Sequence, residues 1–246
     1  MPTVGFSTGA LALGDFERGL RMLASKRANA VELSALRSVE LAPLLNAALS
    51  RLEELQARYQ YIAFHAPTDH QNEHDLVEQL KSIAERRLNI VVHPDIIRDV
   101  SLWQQLGNCL CIENMDSRKV TGRTAKELRG IFEKLPQAKL CFDVAHARQV
   151  DPTMTEATRI LSEFRNRLAQ VHLSEVNGKG KHFAMSFVAR RAYERLADVL
   201  STVPVILESP VNETGIESQI EEAKRMLTHS RAEAQSVEAA SRWAAG

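Results

Sequence analysis

Six residues of metal-ligating type each stand at the end of a short apolar run. His65 follows Tyr61-Ile62-Ala63-Phe64, His93 follows Asn89-Ile90-Val91-Val92, and Glu113 follows Cys109-Leu110-Cys111-Ile112. Asp143 follows Leu140-Cys141-Phe142, His172 follows Leu168-Ala169-Gln170-Val171, and Glu208 follows Pro204-Val205-Ile206-Leu207. Imidazole and carboxylate together are the usual ligands of zinc and related ions. Several carboxylates crowded in one place repel each other, so a cation among them would also account for their coexistence. The chemistry expected is therefore that of a divalent metal. Zinc leads, with manganese or another divalent ion as the alternative; a polar mouth that binds a ligand through hydrogen bonds alone is the competing reading.

These residues can act together only if the fold brings the ends of their runs to one place. The runs at Thr3–Phe6, Ala30–Leu33, Tyr61–His65, Asn89–His93, Cys109–Glu113, Leu140–Asp143, Leu168–His172 and Pro204–Glu208 read as strands. Helical patterns lie between them at about 15–26, 39–59, 73–87, 97–106, 124–135, 153–167 and 186–200, with a last one from about Gly215. In the 124–135 segment, for example, Leu128, Ile131, Phe132 and Leu135 recur at helical spacing. Eight alternating strand–helix units in 246 residues argue for a parallel sheet closed into one (β/α)₈ barrel. The barrel is expected over residues 1–229, with 230–246 a helical or frayed tail. Parallel strands present their chemistry at their C-terminal tips, so strands three to eight aim six polar side chains at one mouth. Two residues before each tip, Ala63, Val91, Cys111, Cys141, Gln170 and Ile206 should line the interior. Of these only Gln170 would need hydrogen-bond partners there.

Other residues fall near the same mouth. His146 lies three positions beyond Asp143, on the following turn, and His182 ten beyond His172, after the Gly-rich stretch Asn177–Lys181, which reads as a mobile loop. Arg118, Lys119, Arg123, Arg148 and Lys181 occupy the loops after the tips and could hold phosphate or carboxylate groups. Glu32 and Ser34 are read as lying on opposite phases of the second strand, with Glu32 facing the outside of the sheet. His70 and His74 read as solvated. Cys109, Cys111 and Cys141 fall in strand interiors and read as small core residues rather than a disulfide framework. Formal net charge is +0, which draws the chain neither to nucleic acid nor to a membrane surface. No apolar run approaches the length of a membrane span, the N-terminus lacks a secretory pattern, and a cytoplasmic location is expected.

The ordered motifs His65-Ala66-Pro67, His93-Pro94, Glu113-Asn114, Asp143-x-x-His146-Ala147, His172-Leu173-Ser174 and Ile206-Leu207-Glu208-Ser209-Pro210 resemble the xylose isomerase-like TIM-barrel superfamily. Within it the pattern is most similar to endonuclease IV. That resemblance implies one ion held by His65, His93 and Glu113. It implies a second held by Glu113, Asp143, His172 and Glu208, with Glu113 bridging. A third ion in that family takes His146 and an Asp-x-His triplet, which here reads Gly180-Lys181-His182. With the Asp missing, one to two ions are expected. The activity implied is metal-dependent hydrolysis of a phosphoester. Sugar isomerases and epimerases of the same superfamily imply an alternative, a single ion on Glu113, Asp143, His172 and Glu208. There the two Glu form an acid/base pair and His146 contacts the substrate. A non-catalytic metal-binding barrel is the third reading. The expected partner is a small phosphorylated or sugar-like substrate. Duplex DNA is less favoured, because the chain carries no net positive charge and its first two loops show no wedging motif.

Overall fold

The computed structural model describes residues 1–228. Its strands are β1 (Val4–Ser7), β2 (Ala30–Ser34), β3 (Tyr61–His65), β4 (Asn89–Val92), β5 (Leu110–Glu113), β6 (Lys139–Asp143) and β7 (Leu168–Leu173), followed by β8 (Glu175–Val176), β9 (His182–Phe183) and β10 (Val205–Leu207). Eight of them close into a parallel barrel in the order β1-β10-β7-β6-β5-β4-β3-β2, while β8 and β9 pair separately as an antiparallel hairpin. This is the single (β/α)₈ barrel expected from the alternating pattern. The tail expected over 230–246, and His229, lie outside the described residues.

Strand alternation divides the apolar residues into two sets. Val4, Phe6, Val31, Leu33, Ile62, Phe64, Ile90, Val92, Ile112 and Phe142 face the surrounding helices and form the main core with them. Val91, Cys111 and Cys141, with Ala169 beside them, form a separate small cluster inside the barrel. At Gly5 a Cβ would come 1.7 Å from the Ala30 carbonyl oxygen, so the close approach of β1 to β2 requires glycine.

Several helices differ from their sequence expectation for local reasons. The 39–59 pattern is two helices, Ser38–Ser50 and Leu52–Arg58, meeting at the non-helical Arg51. The 97–106 pattern is helical only at Val100–Gln104, because Pro94–Ile96 forms a 3₁₀ turn and Asp99 caps the helix by accepting from the Ser101 N–H. The 153–167 pattern ends at Glu163, and the 186–200 pattern splits into Phe187–Glu194 and Ala197–Leu200. The last helix covers 216–228 within the described residues. A further helix, Val144–Val150, stands where only a turn was expected; the Asp143 side chain caps it by accepting from the His146 N–H at 2.6 Å. Among the described residues no helix is long and apolar enough to cross a membrane.

Candidate metal centre

The strand tips converge as barrel geometry requires. The ligand atoms of His65, His93 and Glu113 lie within 4.8 Å of one another, and so do those of Glu113, Asp143, His172 and Glu208. Glu113 belongs to both groups, and its two oxygens are divided between them. Oε2 faces His65 Nε2 and His93 Nε2, each at 3.2 Å. Oε1 faces His146 Nδ1 at 3.2 Å and His172 Nδ1 at 3.4 Å. His172 Nδ1 is also 3.4 Å from Glu208 Oε1.

Local structure aims each side chain. The His65 Nδ1–H can donate to the Ala66 carbonyl at 3.0 Å, which aims Nε2 at Glu113. Asn114 ties the tips of β5 and β6 together: its Nδ2 donates to the Asp143 carbonyl and its Oδ1 accepts from the Asp143 N–H, both at 2.8 Å. Asp143 spends Oδ1 on its helix cap and leaves Oδ2 buried with no hydrogen-bond partner among the described residues. Glu208 Oε2 and His93 Nδ1 are in the same position. Buried polar atoms without partners are rare and costly. A divalent cation would take up the carboxylate oxygens, and the mixed imidazole–carboxylate donor set suits zinc or manganese. The residues present thus fit one or two such ions.

His146 is buried and His182 is about a quarter exposed (26%). Their rings meet edge-on with centroids 5.5 Å apart, and His182 Nδ1 lies 2.8 Å from Ser174 Oγ and 3.6 Å from Glu208 Oε2. What puts His182 there is β9, because the stretch expected as a mobile loop is the turn of the β8–β9 hairpin. Asn177 Oδ1 accepts from the Lys179 and Lys181 N–H groups, and the Arg118 guanidinium donates to the Lys179 carbonyl at 2.7 Å. Arg118 also lies over Gly180, whose φ of +69° closes the turn.

The loop cations are largely occupied. Arg118 pairs with the buried Asp116, Lys119 with Asp95 at 2.6 Å, Arg123 with Glu127 at 2.6 Å and Arg148 with Glu175 at 2.9 Å. Of the five, Lys181 alone has no carboxylate partner among the described residues; its ammonium sits 5.7 Å from the Phe183 ring centroid.

Glu32 is the residue misplaced by sequence reasoning. It lies two positions from Ser34 and therefore on the same face, which points inward. It is fully buried, level with Ala63 of β3, and its Oε2 lies 3.0 Å from His172 Nε2. The polar-apolar alternation of Ala30-Val31-Glu32-Leu33-Ser34 carried that signal.

Charge at the mouth is balanced by protons in the absence of a cation. Burial pulls the His65 imidazole down, but its hydrogen bond to Glu113 and the charges of Glu32 and Glu113 outweigh that and lift it to about 9. Burial likewise opposes protonation of His146, and Asp143, Glu113 and Glu208 lift it to about 10. His172 is also raised against burial, by surrounding anionic groups. Burial pushes Glu208 up to about 8, helped by Glu113 and Asp143. Glu113 is held low despite burial by His172 and His93, and Glu32 is held low despite burial by His172.

A stability profile follows for chelator-treated protein. Unfolded imidazole titrates near ~6.5 and unfolded Glu near ~4.3. Above those values the folded chain binds more protons than the unfolded one, so its stability falls as pH rises. The histidine contribution is full below about pH 6.5 and is lost as pH passes through about 9 for His65 and about 10 for His146. The depressed Glu113 and Glu32 give the opposite slope below about pH 4.5, and so, up to about pH 6.5, do His93 and His182, which burial holds low. Tm is therefore expected to peak between about pH 5 and 6.5 and to decline toward pH 10, with added divalent ion restoring it most at alkaline pH. A Tm that climbs steadily from pH 6 to 10 without metal would contradict this charge balance.

The same architecture occurs in solved structures. A xylose isomerase domain-containing protein from Salmonella typhimurium superposes with a TM-score of 0.64 at 15% identity, over 92% of this chain and 97% of that one. A xylose isomerase domain protein from Alicyclobacillus acidocaldarius gives 0.65 at 12% identity, over 91% and 97%. A xylose isomerase-like TIM-barrel protein from Mycobacterium smegmatis, solved in complex with magnesium, gives 0.58 at 11% identity, over 92% and 95%. The fold is thus that of the xylose isomerase-like barrels, as the motifs led one to expect. No family model matches the chain, and no curated protein matches it.

Proposed function

We propose that this xylose isomerase-like barrel is a divalent-metal-dependent enzyme that hydrolyses a phosphoester of a small substrate. The observation that carries the reading is the division of Glu113: one oxygen faces two imidazoles and the other faces the second ligand group. A carboxylate shared in this way is how a protein holds two ions side by side, and a one-ion site would not need His65 and His93. Bound divalent ions would supply the Lewis acidity that phosphoester hydrolysis requires. His65 and His93 would hold one ion with Glu113. Asp143, His172 and Glu208 would hold the other with the remaining Glu113 oxygen. His146, charged beside Asp143 and Glu113, would steady a substrate oxygen, and Lys181 is the loop cation with room to approach a phosphate. With net charge +0 and the other four loop cations already paired, the surface suits a small substrate better than a nucleic-acid duplex.

A second reading, isomerisation or epimerisation of a sugar, is favoured by Glu208. It lies in one group with Glu113, so two carboxylates face the same space and could serve as an acid/base pair beside a carbonyl.

The two readings part in isotope-labelled water. Protein loaded with zinc, manganese or magnesium would be given a panel of phosphomonoesters, phosphodiesters and sugar phosphates. Hydrolysis requires oxygen from H₂¹⁸O to enter the phosphoryl product as the leaving oxygen takes a proton. Carbon-bound deuterium from D₂O in an aldose or ketose, with no phosphate released or diester cleaved, would overturn the hydrolase reading in favour of the isomerase.

A further inference from the structure

Glu32 is a buried carboxylate that none of the site chemistry above uses, and leaving a charge in a barrel interior is expensive unless it is paired. It ends a hydrogen-bonded chain that begins at the opposite side of the barrel. Lys139 Nζ donates to Asn89 Oδ1 at 3.0 Å, and Asn89 Nδ2 donates to the Tyr61 hydroxyl at 2.9 Å. The Tyr61 hydroxyl donates to Gln170 Oε1 at 2.5 Å, and Gln170 Nε2 donates to Glu32 Oε2 at 2.7 Å. Glu32 Oε2 then meets His172 Nε2 at 3.0 Å. Gln170, Glu32 and His172 are all fully buried.

The donor inventory gives this chain a direction. An ammonium can only donate, so Asn89 must turn its oxygen to Lys139 and its amino group to Tyr61. The phenol oxygen then accepts, and its own proton goes to the Gln170 oxygen. Gln170 in turn presents its amino group to Glu32. A carboxylate can only accept, so His172 must meet it with Nε2–H. The other tautomer would set a bare nitrogen lone pair against the carboxylate, 3.0 Å away. Gln170 Nε2 has two N–H groups and lies 2.7 Å from Glu32 Oε2 and 2.9 Å from His172 Nε2. Its second hydrogen competes for His172 Nε2 only as a neutral donor, whereas an Nε2–H bond to the Glu32 carboxylate is charge-assisted and the stronger of the two.

We infer that Glu32 is a positioning residue that keeps the proton of His172 on Nε2 and so leaves Nδ1 to ligate an ion held with Glu113, Asp143 and Glu208. This rests on the metal reading of that group. Glu32 is in neither ligand group, and the ligand candidate it hydrogen-bonds is His172, so its positioning effect runs through that ring. Carboxylates placed behind a ligating imidazole typically change metal affinity by about 10- to 100-fold when removed.

The test combines zinc titration with long-range ¹H–¹⁵N spectra of histidine-labelled protein. In wild type loaded with zinc, the His172 proton is expected on Nε2 and the metal on Nδ1. Glu32→Ala is expected to weaken binding of the ion at the Glu113–Asp143–His172–Glu208 group by about 10- to 100-fold while sparing the ion at His65 and His93. Glu32→Gln, whose amide oxygen still accepts from Nε2–H, is expected to recover most of that loss. Wild-type affinity at both sites in Glu32→Ala would overturn the inference, as would a wild-type spectrum with zinc on Nε2 of His172. The spectrum needs no variant, so it decides even if Glu32→Ala does not fold. Failure of wild type to bind zinc at all would overturn the metal reading itself and this inference with it, and would show before any variant was made.

Discussion

Replacing Glu113 with glutamine is expected to abolish binding of at least one ion and to lower turnover by about a thousandfold or more. The side chain keeps its size, so the barrel should fold. What changes is that one of two anionic oxygens becomes an amino group and the other becomes neutral. In the structure Oε2 serves His65 and His93, and Oε1 serves the His172 group. Whichever way the amide turns, one group gains a donor where a cation needs an acceptor, and the other loses its charge. Metal ions contribute several kcal/mol of transition-state stabilisation, and each ~1.4 kcal/mol is tenfold in rate. Steady-state rates on whichever substrate turns over, alongside metal content, check this. Wild-type rates in Glu113→Gln would remove the bridging role.

Trp103→Ala is expected to cost about 3–5 kcal/mol of folding stability. Trp103 is fully buried and among the largest enclosed side chains of the main core. Its indole N–H donates to Glu73, whose carboxylate also accepts from the Arg98 N–H at 2.7 Å and the Asp99 N–H at 3.1 Å. Truncation would leave a cavity and remove one hydrogen-bond donor from a carboxylate that ties down the segment after His93. A domain of this kind has only about 5–15 kcal/mol in total, so the variant should stand near the edge of stability. Urea unfolding should show a lowered midpoint with an unchanged slope. A loss below about 1 kcal/mol would mean that the site collapses far better than large-to-small core changes normally allow. Trp103→Phe, which keeps most of the volume, should cost clearly less.

The barrel and the convergence of its strand-tip residues were legible because they follow from local rules. A short apolar run ending in His65, His93, Glu113, Asp143, His172 or Glu208 marks both a strand and its exit, and period-two alternation then places Cys111, Cys141 and Gln170 inside. What escaped depends on long-range or very local detail. Asn177-Gly178-Lys179-Gly180 has the composition of a mobile loop, yet Arg118, 61 residues before Lys179, helps to pin it. The Val144–Val150 helix is too short to show periodicity, and its signature is the single Asp143 cap. The loop cations read as free ligand contacts because their partners, such as Asp95 for Lys119 and Glu175 for Arg148, sit 24 and 27 residues away in the chain. Glu32 was within reach, since two residues apart on a strand means the same face.

The central claim is that Glu113 joins two ligand groups into one dinuclear site. Elemental analysis of protein purified without chelator tests it most directly, as ions per chain in wild type and in Glu113→Gln. About two ions in wild type, falling to one or none in the variant, is the expected result. One ion in wild type that persists in Glu113→Gln, or no ion in either, would contradict it.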